Sequence, residues 1–315
     1  MNHETPRRSP TDDQQPLGPA SVALNLLTTA LWGGTPVAVH YSVDQLPPIA
    51  VSGIRFALAA AFMLFWCRLE GSSLSLERRQ LRPTLIMGLL LFGQIALFTV
   101  GIAMTNSSHS TVLINTFVFW VAGIEHFITR TMRFDGKRLV GLVFAAAGGL
   151  MVLGISESQA GQGGEQGRDP ATLTGDLTVV ASAFLLGIKI AYTKYAARVV
   201  PPGALIFWHD VIGVVLFAAW SLAFEEVSFT GLHTPTILAL LYQGLIVAGF
   251  CFAVQAYLLR KHSASKISIY SVATPLFGII VAWAFRGDPL SGWLFVSAIC
   301  VAAGILIVNS EPAEM

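Results

Sequence analysis

Four ionisable side chains lie inside long apolar stretches of this sequence: Arg55, Lys189, His209 and Asp210. A charged group at the centre of a membrane helix costs about 2.5–3.5 kcal/mol on insertion scales, so such residues mark candidate functional sites. Lysine can bind a substrate carboxylate or form a switching ion pair with an aspartate, and histidine can exchange a proton near neutral pH. The chemistry that these residues indicate is substrate binding, gating or proton coupling inside a membrane.

Two of these residues are expected to lie close together. At about 1.5 Å per residue, Lys189 and the His209–Asp210 pair fall roughly 10 Å from the same end of two consecutive antiparallel helices. One hypothesis is that Lys189 faces a central cavity, where it binds a substrate carboxylate or gates access through a switching ion pair with Asp210. The alternatives are a fixed structural pair, or a lysine that extends its ammonium to the membrane interface.

The composition describes the elements that must position these residues. The chain has 315 residues, of which 54% are hydrophobic and 12% charged, with a mean hydropathy of +0.66. Soluble domains carry about 25% charged residues, so the sequence predicts a polytopic membrane protein. A net charge of +1 gives no reason to expect a nucleic-acid partner. The three cysteines are far apart, and no phosphate loop, zinc spacing or nucleophile motif occurs, so we expect no catalytic residue, metal or cofactor.

Ten apolar segments are long enough to be membrane helices. They are Ser21–His40, Pro48–Cys67, Thr84–Met104, Ser110–Ile128, Leu139–Ile155, Gly175–Tyr195, Gly203–Phe224, Thr236–Leu258, Ile267–Phe285 and Leu290–Val308. If the N-terminus is cytoplasmic, the outside loops hold only Arg168 and Arg286, and nearly all other Lys and Arg residues lie inside. This distribution follows the positive-inside rule and predicts that both termini are cytoplasmic.

The two halves of the sequence are alike. Pro47-Pro48 precedes the second segment and Pro201-Pro202 the seventh, and Ser110 and Ser265 begin the fourth and ninth at nearly the same offset. Because a five-helix unit has an odd number of spans, its second copy enters the membrane inverted, as in many secondary transporters. The predicted organisation is a disordered cytoplasmic tail, a first repeat, a polar extracytoplasmic linker, a second repeat and a cytoplasmic tail. Their bounds are 1–19, 20–155, 156–173, 174–308 and 309–315.

Short motifs in a fixed order relate the chain to a known family. They are Leu31-Trp32-Gly33-Gly34-Thr35, Arg55-Phe56-Ala57-Leu58-Ala59-Ala60, Thr174-Gly175-Asp176-Leu177, Thr274-Pro275-Leu276-Phe277 and Gly287-Asp288-Pro289-Leu290-Ser291. With these motifs, the sequence resembles the EamA-type members of the drug/metabolite transporter superfamily over nearly all of residues 30–308. The resemblance implies an all-α membrane protein of ten transmembrane helices, arranged as two inverted five-helix repeats.

The resemblance also implies a central cavity, lined by the first, third and fourth segments and by their counterparts, the sixth, eighth and ninth. The polar and aromatic residues expected to line it and bind substrate are Trp32, Thr35, Gln94, Asn115, Lys189, Tyr192, Gln243 and Tyr270. Those expected to act in gating or coupling are Arg55, His209, Asp210, Pro36 and Pro275. The alternative for the neutral polar residues is interhelical hydrogen bonding, worth about 0.6 kcal/mol on average. The two prolines are expected to break their helices and free backbone carbonyls toward the cavity.

Small residues dominate the fifth and tenth segments, including Gly148, Gly149 and Gly304. Such surfaces pack helices closely, and they either join the two halves or form a homodimer. The resemblance implies a secondary transporter, an exporter of small organic metabolites such as amino acids or related amphipathic compounds, in the inner membrane of a bacterium. A membrane-embedded enzyme acting on a lipid-linked substrate and a non-transporting scaffold remain the alternative functions.

Overall fold

A computed structural model describes residues 18–130, 135–160, 171–261 and 269–309. Every regular element in these ranges is a helix. Within them, eight helices are long and apolar enough to cross a membrane, and Tyr270–Arg286 and Gly292–Val308 are shorter apolar helices. The chain is thus an all-helical integral membrane protein. Most of the two predicted tails and residues 161–170 of the predicted linker lie outside the described residues.

Before the linker, the residues that the structure describes form seven helices. They are α1 (Pro19–Gly33), α2 (Thr35–Val43), α3 (Pro48–Leu69), α4 (Arg78–Ala103), α5 (Ser107–Asn115), α6 (Phe117–Phe127) and α7 (Gly136–Ala160). The first and fourth predicted segments are therefore each two helices, which meet at Gly34 and at Thr116.

In the described ranges after the linker, the chain forms six α-helices and two irregular helical segments. They are α8 (Leu173–Ala196), α9 (Pro202–Phe224), α10 (Thr234–Leu241), a π-helical segment (Tyr242–Cys251), α11 (Phe252–Lys261), a 3₁₀ turn (Ile269–Ala273), α12 (Thr274–Arg286) and α13 (Gly292–Asn309). The sixth and seventh predicted segments are single helices, and the eighth changes from α to π geometry inside the membrane.

Local sequence determines where several helices begin. Pro19, Pro48 and Pro202 occupy first-turn positions, where the missing N–H costs no helical hydrogen bond. Asn106 caps α5 by accepting the N–H of His109, and Thr172 caps α8 by accepting the N–H of Gly175. These signals explain why the observed starts of these five helices lie within about three residues of the predicted ones, inside the usual error of such predictions. Helix α4 begins at Arg78, earlier than the predicted Thr84.

Helices from the two halves pack in pairs: α3 against α9, α4 against α8, α5 against α12, and α7 against α13. At the last of these contacts, a Cβ added to Gly304 would lie 2.7 Å from Ala145, and one added to Gly148 would lie 2.6 Å from the Ser297 carbonyl oxygen. The small residues of the fifth and tenth segments thus join the two halves within one chain.

Apolar side chains fill the space between these pairs. One cluster surrounds Phe217 of α9, whose ring lies 5.9 Å from Phe56 and 5.1 Å from Phe92. Another lies between α5, α7, α8, α12 and α13 and includes Leu113, Val179 and Ile305.

Candidate functional site

The first membrane segment breaks at Gly34, between α1 and α2. Pro36 lies in the first turn of α2 and cannot donate a backbone hydrogen bond into α1. The Tyr242 hydroxyl of the π-helical segment donates to the Leu31 carbonyl at 2.5 Å. A Cβ on Gly34 would lie 2.7 Å from that hydroxyl, so glycine permits the contact. The break therefore presents a backbone acceptor to the helix that crosses beside it.

The π-helical segment begins at Tyr242, the residue that makes this contact. Its Gly244 packs directly on α3, because an added Cβ would lie 2.9 Å from the Arg55 carbonyl oxygen and 2.5 Å from Leu58. π-Helical turns are uncommon and occur frequently at functional sites. Tyr242 was missed by the sequence analysis, since no pattern in the eighth segment marks a change of helix type.

Arg55 of α3, the helix on which this segment packs, forms with Lys189 of α8 and Asp210 of α9 a group that we call the charged cluster. Arg55 is 6% exposed and Asp210 is 1% exposed. Each of the three lies within electrostatic range of the other two, and Arg55 also of Tyr242. Side chains from α3, α8 and α9 therefore bring two positive charges and one negative charge together inside the molecule.

Part of the charged cluster has no hydrogen-bond partner. The Nε and Nη1 atoms of Arg55 and the Oδ2 atom of Asp210 are buried without one. Leaving a buried polar group unsatisfied costs about 1–3 kcal/mol, and more for a charged group. Native structures contain few such groups, and each calls for an explanation such as a ligand that is absent.

The hypothesised Lys189–Asp210 ion pair is not formed: no salt bridge joins the two residues, both of which the structure describes. The Lys189 ammonium instead donates to the Gln94 side-chain oxygen at 3.2 Å. Gln94 is itself held by Ser182, to whose hydroxyl its amide donates at 3.1 Å. Because Gln94 is buried on α4, it holds the lysine toward the contact between α4 and α8, away from a direct bond with Asp210.

His209 is the neighbour that contacts Asp210. Its Nδ1 lies 3.1 Å from Asp210 Oδ1 and 2.6 Å from the Ile206 carbonyl oxygen. Both neighbours are acceptors, so Nδ1 carries a hydrogen in this arrangement. His209 thus orients one carboxylate oxygen of Asp210, while the other, Oδ2, has no hydrogen-bond partner.

The other predicted lining residues differ in their surroundings. The Thr35 hydroxyl is buried without a hydrogen-bond partner, at the start of α2. Trp32 is half-buried, with its ring edge-on to Phe252 at 5.9 Å. Tyr192 is half-buried near Tyr195, with the two ring centroids 5.5 Å apart. Of these, Thr35 most resembles a binding group, because its hydroxyl lacks a hydrogen-bond partner.

Two predicted lining residues make interhelical or local hydrogen bonds instead. Gln243 is fully buried, and its amide donates to the Ala38 carbonyl at 3.0 Å and to Ser42 at 2.8 Å. Asn115 donates to the Thr111 carbonyl at 2.7 Å, at the end of α5. The amide nitrogens of both residues thus bond within the protein, while the Oε1 atom of Gln243 is buried without a hydrogen-bond partner.

Tyr270 and Pro275 lie on either side of the change from the 3₁₀ turn to α12. Tyr270 is half-buried in the turn, and Pro275 is in the first turn of α12. Helix geometry therefore changes beside Pro275 as it does beside Pro36.

A second buried polar network lies at the end of the molecule where α2 stops, which we call the Asp44 end. Arg286 of α12 is 3% exposed and donates to Asp44 at 2.6 Å and 3.3 Å. Its guanidinium also lies 3.4 Å from His40 Nδ1, and His40 Nε2 lies 2.7 Å from the Thr105 carbonyl oxygen. The sequence analysis placed Arg286 in an outside loop, but it ties α2 to α12.

The network continues into α8 and α5. Asp176 accepts a hydrogen bond from the Thr105 hydroxyl at 2.5 Å and lies 2.9 Å from His109 Nδ1. Asp288, next to the left-handed Gly287, accepts the N–H of Ser108 at 2.8 Å. These carboxylates belong to the family motifs noted in the sequence, where their partners could not be read, because each partner comes from a distant helix.

The opposite end, where α4 begins, has its own contacts between the halves, and we call it the Arg78 end. Gln80 donates from its side chain to the Val199 carbonyl at 2.9 Å, and Trp208 donates to the Leu74 carbonyl at 2.7 Å. Lys194 pairs with Glu125 there. Polar links thus join the two halves on both sides of the charged cluster.

No group of three potential metal ligands occurs among the described residues. A pocket of about 210 Å³ lies between α6 and α7, lined by Phe119, Gly123, Phe127, Leu139, Leu142, Val143 and Ala146. Its lining is apolar, and it contains none of the predicted site residues. The charged cluster is therefore the stronger candidate for binding a polar small molecule.

The fold and these buried charges define a polytopic helical membrane protein with an ionisable interior. The chain belongs to the EamA-like transporter family, whose model matches residues 20–154 and 173–310.

Curated relatives include the uncharacterized transporter YoaV of Bacillus subtilis, 25% identical over 89% of this chain and 93% of that protein. A Salmonella typhimurium protein named a probable amino-acid metabolite efflux pump is 24% identical over 90% of this chain and 93% of its own. A protein of known crystal structure is 15% identical in sequence and superposes with a TM-score of 0.67. The alignment covers 91% of this chain and 96% of that protein. At that identity the likeness concerns the fold alone.

Proposed function

We propose that this protein is a secondary transporter that exports small organic metabolites by alternating access around the charged cluster. The observation that carries the proposal is that Arg55 and Asp210 are buried and that each has side-chain atoms without a hydrogen-bond partner. Intramembrane ionisable residues face pathways or binding sites by default, because lipid cannot solvate them. Family membership supports transport as the use of this site.

Alternating access requires two halves that rock against each other, and we propose ten membrane helices in two inverted five-helix repeats. The match of one family model to two stretches of nearly equal length supports this arrangement. The pairing of α3 with α9, α5 with α12 and α7 with α13 supports it too, since each pair joins corresponding helices of the two repeats. Polar links at the Asp44 end and the Arg78 end are then the contacts that open in turn.

In this proposal Lys189, Gln94 and Thr35 face the transported molecule, with Trp32, Tyr192 and Tyr270 at the border of the site. Pro36 and Pro275 permit the helix breaks, and His209 orients Asp210. Asn115 and Gln243 support the packing around the site.

Amino acids or related amphipathic compounds are the proposed substrates, and export is the proposed direction. The names of relatives as amino-acid metabolite efflux pumps support both. The proposed location is the inner membrane of a bacterium, with both termini cytoplasmic and the Asp44 end outside. The proposed partners are the substrate and membrane lipid, and a homodimer would use surfaces other than the contact between α7 and α13.

The test is efflux from proteoliposomes loaded with a mixed metabolite pool and read by mass spectrometry. Wild type is compared with Lys189→Ala and with Lys137→Ala, a control of the same residue type because Lys137 is exposed at the start of α7. Selective loss of a few compounds from wild type and from the control, reduced in Lys189→Ala, is the expected result. Retention of every compound, in both orientations and with a pH gradient, would show that the protein is not a transporter of this kind.

A further inference from the structure

The charged cluster contains two positive side chains, Arg55 and Lys189, and one negative side chain, Asp210. Buried charges are stable when opposite charges and hydrogen bonds satisfy them. Within the described residues, neither Arg55 nor Lys189 forms an ion pair, and Asp210 contacts only His209. The cluster therefore has one unbalanced positive charge and several unused hydrogen-bonding positions.

The unused positions differ in kind. The guanidinium of Arg55 has only donors, and its planar shape matches a carboxylate. The Oδ2 atom of Asp210 has only acceptor capacity while the carboxylate is ionised, so it requires an ammonium or another donor. Lys189 has three donors, of which Gln94 receives one at 3.2 Å. A ligand that satisfies all three carries two acidic groups and one amino group.

Arg55 and Asp210 do not satisfy each other, although they have opposite charges and lie within electrostatic range. His209 holds one oxygen of Asp210, and Gln94 holds Lys189 away from Asp210. Side chains that are held apart in this way are preorganised for a bridging molecule, which binds without having to break an existing ion pair.

We infer that the charged cluster is a binding site for dicarboxylic amino acids, with Arg55 and Lys189 binding the two carboxylates and Asp210 binding the amino group. This inference rests on the proposed transport function and names the substrate class of that site. Asp210 is then a specificity-determining residue, since it rejects acids that lack the amino group. Lys189 in turn distinguishes acidic amino acids from neutral ones.

Four probes of similar size separate the contributions of these groups. L-Glutamate has all three charged groups, L-glutamine lacks the second carboxylate, glutarate lacks the amino group, and γ-aminobutyrate lacks the α-carboxylate. Each is exchanged by counterflow in proteoliposomes containing the full-length protein. We expect glutamate to exceed each of the other three by about tenfold, the effect of roughly 1.4 kcal/mol in differential binding.

Single variants are expected to redirect this preference. In Lys189→Gln, glutamine should overtake glutamate, because the unbalanced positive charge is removed. In Asp210→Asn, glutarate should gain on glutamate. Arg55→Gln should abolish exchange of the probes that carry an α-carboxylate, glutamate and glutamine. Arg55→Lys should recover part of that exchange.

Matched controls remove equivalent charges elsewhere. Asp176 and Arg286 are as deeply buried as Asp210 and Arg55 but fully engaged at the Asp44 end. Asp176→Asn and Arg286→Gln can change the rate of exchange but should keep the order of the four probes. All variants are compared as folded protein, selected by thermal melting and size-exclusion chromatography in detergent.

Four results would overturn the inference. Equal exchange of glutamate and γ-aminobutyrate by wild type would exclude a site in which Arg55 and Lys189 bind two carboxylates. An unchanged probe order in Asp210→Asn would exclude its role in specificity. Full recovery by the swap Arg55→Asp with Asp210→Arg would show that the two form a gate pair. If wild type exports other compounds from the mixed pool but not these probes, transport stands and only this inference fails.

Discussion

Tyr242 and Leu31 show how a single hydroxyl connects two halves of the molecule. The Tyr242 hydroxyl donates to the Leu31 carbonyl at 2.5 Å, where α1 ends. We predict that Tyr242→Phe lowers the stability of the folded protein by about 1–3 kcal/mol, because a buried carbonyl loses its donor. Thermal melting in detergent measures this, with Tyr195→Phe as control because Tyr195 is 56% exposed. Equal melting temperatures for both variants would contradict the prediction.

At this scale the sequence predicts which residues matter better than what they contact. A charge inside an apolar segment is visible from the sequence, so Arg55, Lys189 and Asp210 could be selected. Their partners depend on how each helix is rotated about its axis and on which rotamer each side chain adopts. The depth of a residue in the membrane determines neither. Lys189 and Asp210 were expected at similar depth, yet Gln94 is the partner of the lysine.

At the scale of elements, the close approach of α12 to α5 depends on Gly278. A Cβ at Gly278 would lie 2.1 Å from Thr111 Cγ2 and 2.7 Å from its hydroxyl. We predict that Gly278→Ala destabilises the protein by about 1–3 kcal/mol, the usual cost of overpacking a core. Gly123→Ala is the control, because an added Cβ there meets nothing within 4 Å.

The measurement for this pair is thermal melting combined with the yield of monodisperse protein. Gly123→Ala should be neutral or slightly stabilising, since alanine favours helix by up to about 1 kcal/mol over glycine. If Gly278→Ala has the same melting temperature as wild type, α5 and α12 can separate without cost. The proposed contact between corresponding helices would then lose its support.

The ten apolar segments could be predicted because hydrophobic runs and charged loops define them. Interruptions within the segments were predictable only where proline marks them, as at Pro36 and Pro275. The separation of α5 from α6 near Thr116 and the π-helical segment from Tyr242 have no such marker. They arise from packing against other helices, which overrides local preference.

At the scale of the whole molecule, the predicted orientation can be tested at two exposed loop positions. Ser75 lies between α3 and α4, and Thr230 lies between α9 and α10. In a Cys300→Ser background, we predict that a membrane-impermeant thiol reagent labels Thr230→Cys in intact cells and labels Ser75→Cys only after permeabilisation. Cys67 and Cys251 are buried and should stay silent. The reverse labelling pattern would place the Asp44 end in the cytoplasm.

Alternating access predicts that weakening one end of the molecule opens that end and closes the other. Arg286 and Asp44 tie α12 to α2 at the Asp44 end, and Ser52 of α3 is 1% exposed. We predict that Arg286→Gln speeds labelling of Ser52→Cys about tenfold. Destabilising the closed state by roughly 1.4 kcal/mol shifts a two-state equilibrium by that factor.

The Arg78 end supplies the reciprocal variant. Gln80 donates to the Val199 carbonyl there, so Gln80→Ala should favour the state open at that end and slow the labelling of Ser52→Cys. A helix that merely loosens at random would label faster in both backgrounds. Opposite changes in the two variants are therefore the outcome specific to a molecule whose two ends open in turn, because one conformational equilibrium then connects both ends.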